Sequence, residues 1–221
     1  MENIRTREIA IVVFIAIFFG LVIFFKTVRI NPPGINTGFA PEQPLAFSHR
    51  LHSGDLQMDC LYCHVGADKG QHALIPAAST CMNCHRFVTA SWDKVKIEEM
   101  QAEEEKREMK LIVSPELEKL YQAVGFDTET MRYDEKKKTG ELEWVRVYNL
   151  PDFVYFDHSR HVNSGVQCQT CHGQVQTMEK VEQVTNLTMG WCVNCHRDVT
   201  NNKIPELKGK KPSISCAVCH Y

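Results

Sequence analysis

The chain has 221 residues, with 25 basic and 27 acidic side chains and a formal net charge of -2. That balance offers no basic surface for nucleic acid. What sets the sequence apart is its ten cysteines and ten histidines, so the elements are taken in chain order with those residues in view.

Residues 9 to 25, "IAIVVFIAIFFGLVIFF", are uncharged and almost wholly apolar. At about 1.5 Å rise per residue the run is near the lower limit for crossing a hydrocarbon core, and it exceeds a secretory apolar region. A cleaved signal peptide competes with this reading, but no A-x-A-like site follows closely, and an uncleaved anchor over residues 1–26 is expected. Arg5 and Arg7 precede the run and Lys26 and Arg29 follow it, so flanking charge does not orient it. The Pro/Gly-rich stretch "NPPGINTGFAPEQP" then reads as an extended connector.

A pattern follows that occurs twice. The first copy runs Phe47, His49, His52, then Cys60, Cys63 and His64, then Cys81, Cys84 and His85. The second runs Phe156, His158, His161, then Cys168, Cys171 and His172, then Cys192, Cys195 and His196. Such self-similarity marks a duplicated unit. A further motif, Cys216, Cys219 and His220, closes the chain. Between the copies, "WDKVKIEEMQAEEEKREMKLIV" is rich in helix formers, with Glu103 and Arg107 spaced to pair, and "SPELEKLYQAVG" has Ser114 as N-cap and Pro115 at the first helical position. This insert is either a solvated bridge or a docking element. "EWVRVYNLPDFVYF" reads as extended, broken at Pro151. The expected domains are thus an anchor (1–26), a two-motif unit (27–90), a charged helical insert (91–143) and a three-motif unit (144–221).

All ten cysteines fall into C-x-x-C-H, the attachment sequence of c-type haem. The two thiols bond the porphyrin and the adjacent imidazole becomes the proximal iron ligand. Zinc ribbons or disulfides would not need a histidine after every pair, and five pairs leave one without a partner in four-thiolate sites. Five covalently bound haem c groups are therefore expected, with His64, His85, His172, His196 and His220 as proximal ligands. With about 39 residues per haem after the anchor, side chains must pack mainly on porphyrin faces. The expected fold class is a multihaem cytochrome c, mostly irregular, with short α-helices around a haem stack and one N-terminal transmembrane helix.

Each Phe-x-His-x-x-His copy places two imidazoles one helical turn apart ahead of a haem, and the pairs His49/His52 and His158/His161 are candidate distal ligands. For the fifth haem, His72, Met178 and Met189 compete. Irons closed on both sides transfer electrons rather than bind substrate, which disfavours an enzyme such as a nitrite reductase.

The His-pair pattern resembles the small multihaem cytochromes of the c3 and c7 kind. By that resemblance both units are c7-like, His49 caps the haem of His64, His52 that of His85, His158 that of His172 and His161 that of His196. Met189, three residues before Cys192, is preferred as the fifth distal ligand by its resemblance to the c7-like pattern, in which the ligand of the last haem sits just upstream of the preceding motif; the resemblance implies that its sulfur serves the haem of His220. "CMNCHR", "WVRVYNLPDFVYFDHSRHV", "CHGQVQTMEKV" and "LTMGWCVNCHR", with the anchor and five motifs, further resemble the pentahaem cytochrome c subunit of alternative complex III. The resemblance implies a single-pass subunit of the bacterial cytoplasmic membrane with its haem domain in the periplasm. Its partners would be an iron-sulfur subunit and polytopic membrane subunits that oxidise quinol, and its acceptor cytochrome c or a terminal oxidase. A free-standing membrane-anchored multihaem quinol dehydrogenase feeding a periplasmic reductase is the alternative.

Overall fold

The computed structural model describes residues 2–27 and 35–220, with side chains from residue 7 to 24 in the first of these segments. Helix α1, Glu2–Thr27, begins ahead of the apolar run. Its stretch Arg7–Phe24 is long and apolar enough to cross a membrane, and every side chain described there is exposed. The first part of the connector lies outside the described residues. From residue 35 it is irregular, and it is held down: Gly38 N–H donates to the Gln183 carbonyl (2.7 Å) and Gln183 N–H to that of Phe39 (3.0 Å).

The attachment motifs form short helices, because cysteines three apart must present their thiols on one face. They are α2 (Cys60–Cys63), α3 (Ala78–His85), and, after the insert, α7 (Gln169–His172), α8 (Met189–Thr200) and α9 (Cys216–Cys219). Asp59 caps α2 by accepting the Leu61 N–H (2.7 Å), and Thr188 caps α8 by accepting that of Trp191 (3.3 Å). The first His pair lies at the start of a π-helical turn, Arg50–Asp55, with His49 as its N-cap. The second lies in α6, His158–Val162, where the Asp157 carboxylate accepts from Ser159 and Arg160 N–H.

The insert contributes α4 (Trp92–Glu104), α5 (Pro115–Val124) and a two-residue antiparallel ribbon, β1 (Phe126–Asp127) with β2 (Arg132–Tyr133). Ser114 caps α5 through the Leu117 N–H, Pro115 starts it, and Gly125 ends it at a φ of 68°. Leu120 and Tyr121 of α5 are buried with Leu45, Met82 and Phe126, and Leu142 and Trp144 pack alongside. The insert therefore supplies much of the core on which the second motif sits. The expected Glu103–Arg107 pair does not form. The helix ends at Glu104, Lys106 takes a φ of 52°, and the chain doubles back so that Arg107 pairs with Glu98 and Glu105. Among the described residues the stretch before α6 forms no named strand, and one antiparallel bridge joins Val154 to His220.

Outside this core few apolar side chains are buried. In the second half, Val199 and Leu207 are the buried hydrophobics among the described residues.

Candidate functional site

The histidines of the two copies meet in pairs. His49 faces His64 with ring centroids 6.4 Å apart and planes within 1°, and His158 faces His172 at 6.4 Å and 11°. His52 meets His85 at 6.1 Å and 60°, and His161 meets His196 at 6.2 Å and 33°. An imidazole nitrogen bonds a metal such as zinc at about 2.0–2.1 Å. Adding a ring radius of about 1.1 Å on each side, two imidazoles on opposite faces of one ion lie roughly 6.3 Å apart. The four separations match that spacing.

The ring nitrogens support the same use. His64 Nδ1–H donates to the Leu74 carbonyl (2.6 Å), His85 to Val88 (2.8 Å), and His196 to Ser213 (2.7 Å). His52 donates to Ser48 (2.9 Å), His158 to Gln71 (2.8 Å), and His161 to Asp157 (2.9 Å). A carbonyl only accepts, so each of these Nδ1 atoms carries a proton, which leaves Nε2 as the nitrogen available to a metal. Leu74 presents its carbonyl from a φ of 66°, a conformation uncommon for a bulky residue and one found at functional positions.

Burial first, then His64, His52 and His172, pushes His49 down to about 4, and burial, then His158 and His64, does the same for His172. Both rings are neutral, the form that binds a metal. His49 Nδ1 is buried and has no hydrogen-bond partner among the described residues.

Phe47 and Phe156, part of the repeated pattern but given no role from sequence, orient the pairs. Phe47 meets His49 edge-on (4.9 Å, 86°) and stacks on His52 (4.4 Å, 26°). Phe156 treats His158 (4.8 Å, 86°) and His161 (4.6 Å, 27°) in the same way. Tyr148 is a third residue missed from sequence. Its ring meets His172 edge-on at 4.5 Å, and its hydroxyl accepts from Val184 N–H and donates to the Glu182 carbonyl.

The fifth motif differs. His220 Nδ1 is 3.3 Å from the Phe153 carbonyl, and the ring beside it is Phe153 at 5.8 Å. Met189 is the first residue of α8 and 65 % exposed, and His72 is exposed in its loop. All ten cysteines are unpaired, and no group of three or more His, Cys, Asp or Glu side chains gathers as a compact metal site among the described residues. Around the motifs the apolar side chains of Leu61, Val65, Leu74, Ile75 and Val218 lie exposed.

Comparison with known proteins gives two family matches. Residues 154–221 match the model of cytochrome c7 and related cytochrome c, and residues 80–173 match that of cytochrome c554 and c-prime. The chain is also similar to the multiheme cytochrome c subunit of menaquinone reductase from Nitratidesulfovibrio vulgaris (strain Hildenborough). The two are 25% identical over 201 residues, covering 81% of this chain and 77% of that protein. The fold class is that of a multihaem cytochrome c, helix-bearing with few strands and with one apolar N-terminal helix, and such domains bind haem c covalently.

Proposed function

We propose that this chain carries five haems and serves as the electron wire of a membrane quinone-linked oxidoreductase of the alternative complex III kind. The single observation that carries the reading is the set of four facing imidazole pairs, each joining one histidine of a C-x-x-C-H motif to one histidine of a Phe-x-His-x-x-His pair.

In this reading Cys60/Cys63, Cys81/Cys84, Cys168/Cys171, Cys192/Cys195 and Cys216/Cys219 hold the haems by thioether bonds. His64, His85, His172, His196 and His220 are proximal ligands, and His49, His52, His158, His161 and Met189 are distal. Each haem supplies one-electron exchange between ferric and ferrous iron. The protein's own side chains would hold each iron from both sides, which would deny substrate a site, and Nδ1 hydrogen bonds fix His52, His64, His85, His158, His161 and His196. Helix α1 anchors the chain, the haem domain lies in the periplasm, and quinol chemistry belongs to iron-sulfur and polytopic membrane partners. The menaquinone reductase relative supports the quinone link.

That relative's name also favours a second reading, in which electrons run toward menaquinone rather than from quinol to cytochrome c or an oxidase. Purification in mild detergent tests both. A stoichiometric assembly whose haems are reduced by menaquinol supports the first, and reduction only by a periplasmic donor, with menaquinone reoxidising the haems, supports the second. A lone chain that reduces its own haems with quinol overturns the wire reading in favour of a free-standing dehydrogenase.

A further inference from the structure

The two copies of the His-pair unit grip each other reciprocally. Arg50, next to His49, donates its backbone N–H to the Met178 carbonyl (2.9 Å) and its guanidinium to Glu179, both in the loop after the third attachment motif. Two turns of chain meet there without room for a side chain: a Cβ on Gly54 would come within 2.2 Å of the Gln176 carbonyl oxygen. In the opposite direction, Ser159 N–H donates to the Gly70 carbonyl (3.0 Å), His158 Nδ1–H to that of Gln71 (2.8 Å) and the Asn163 side-chain amide to that of Asp68 (2.9 Å). These carbonyls belong to the loop after the first motif. Each His pair is thus seated on the loop that follows the other copy's leading motif.

This exchange brings the two leading motifs together: His158, which faces His172, donates to the loop after His64, and the loop after His172 receives the backbone N–H of Arg50, next to His49, which faces His64. Within each half the neighbours follow from the His pairs, since His49 and His52 face His64 and His85, and His158 and His161 face His172 and His196. The last motif lies against the segment just ahead of the second His pair, where Tyr155 N–H donates to the Cys219 carbonyl (2.8 Å) and Val154 bridges to His220.

We propose that the five attachment sites stand in single file in the order second, first, third, fourth, fifth, and that electrons pass between the two halves at the sites of His64 and His172. Sites adjacent in sequence, the second and third, are not the junction. The order rests on the five-haem wire reading and adds its path. The junction step moves one electron: one iron goes from ferrous to ferric as its neighbour goes from ferric to ferrous, and no bond or proton moves. The motifs of His85 and His220 become the two ends, so one terminus sits against the insert, where the Tyr121 hydroxyl donates to the His85 carbonyl (2.6 Å).

The test is the set of iron positions in the haem-loaded full chain, located by anomalous scattering at the iron edge and assigned through the thioether-bonded cysteines in the map. The expected result is an iron at His64 flanked by those at His85 and His172, with the irons at His85 and His220 each having one neighbour. Five irons with the His85 iron beside that of His172 would overturn the order while leaving the wire reading intact. Fewer than five irons would overturn the reading beneath it, and the order with it.

Discussion

His49 and His64 lie with their rings parallel to within 1° and 6.4 Å apart, and no hydrogen bond joins them among the described contacts. Parallel rings at that distance gain little from each other, since aromatic pairs prefer offset or edge-on contact. What holds each ring is its own surroundings, Phe47 against His49 and the Leu74 carbonyl on His64. The pair is therefore organised for something between the rings.

Removing one ring of such a pair opens an axial position. His49→Ala and His158→Ala are each expected to convert one haem from low-spin to high-spin, or to a re-ligated form, with the other four unchanged. Electron paramagnetic resonance of the oxidised protein reads this, and an unchanged low-spin spectrum in both variants would remove them as ligands.

Phe156 acts on the iron only through His158 and His161. Phe156→Leu should cost about 0.5–1.5 kcal/mol from the lost ring contacts, beyond any change in burial. It should also shift the low-spin resonance signal of the haem that His161 serves, whereas Phe156→Tyr should preserve both. A loss of melting temperature with no spectral change would mean that the ring merely fills space.

Tyr121 is 1% exposed, and its hydroxyl donates to the carbonyl of His85 at 2.6 Å. Tyr121→Phe leaves that carbonyl without its donor and should lower the unfolding free energy by about 0.5–1.5 kcal/mol. Equal thermal stability of variant and parent would place the carbonyl's partner elsewhere.

Glu98 gives the insert a pH dependence. Hydrogen bonds from Arg107 first, and from Lys110 N–H second, hold its carboxyl down to about 2 against an ordinary 4.5. A folded value below the unfolded one contributes stability that is full above 4.5 and is lost as pH falls toward 2. Glu98→Gln should flatten the stability profile across that window. A parallel profile for variant and parent would show that another carboxylate governs it.

The covalent chemistry was legible because it demands local spacing: Cys60 to His64 must be written within five consecutive residues, and the Phe-x-His-x-x-His copies repeat. The facing of His49 on His64 followed from a resemblance, and the structure brings those rings together. The groups that fix the imidazoles were not legible, since the carbonyls of Leu74, Gln71 and Ser213 carry no sequence identity. Nor was the end of α4, because helix-forming composition continues past Glu104 while the chain turns back at Lys106 to satisfy Glu98. The meeting of the two His-pair units depends on contacts between distant loops, such as His158 with Gln71 and Arg50 with Met178, which periodicity does not encode.

The fifth site is where the two candidate donors separate. Thr188 caps α8 by accepting the Trp191 N–H at 3.3 Å, which starts the helix at Met189 and places that residue one turn ahead of Cys192. Met189 is 65% exposed, so its thioether is open to a haem bound beside α8. His72 sits within the loop that the Gly66 N–H to Ala73 carbonyl bond closes, next to Gln71, whose carbonyl accepts from His158 Nδ1–H, so it lies at the junction beside the third motif. A thioether ligand raises the potential of its haem relative to bis-histidine neighbours. The wild-type oxidised protein should therefore display a weak thioether-to-iron absorption band in the red, and Met189→His should abolish it and lower the highest midpoint potential, while His72→Ala leaves both untouched. Absence of the band in the wild type, together with a new high-spin haem in His72→Ala, would transfer the fifth ligand from Met189 to His72.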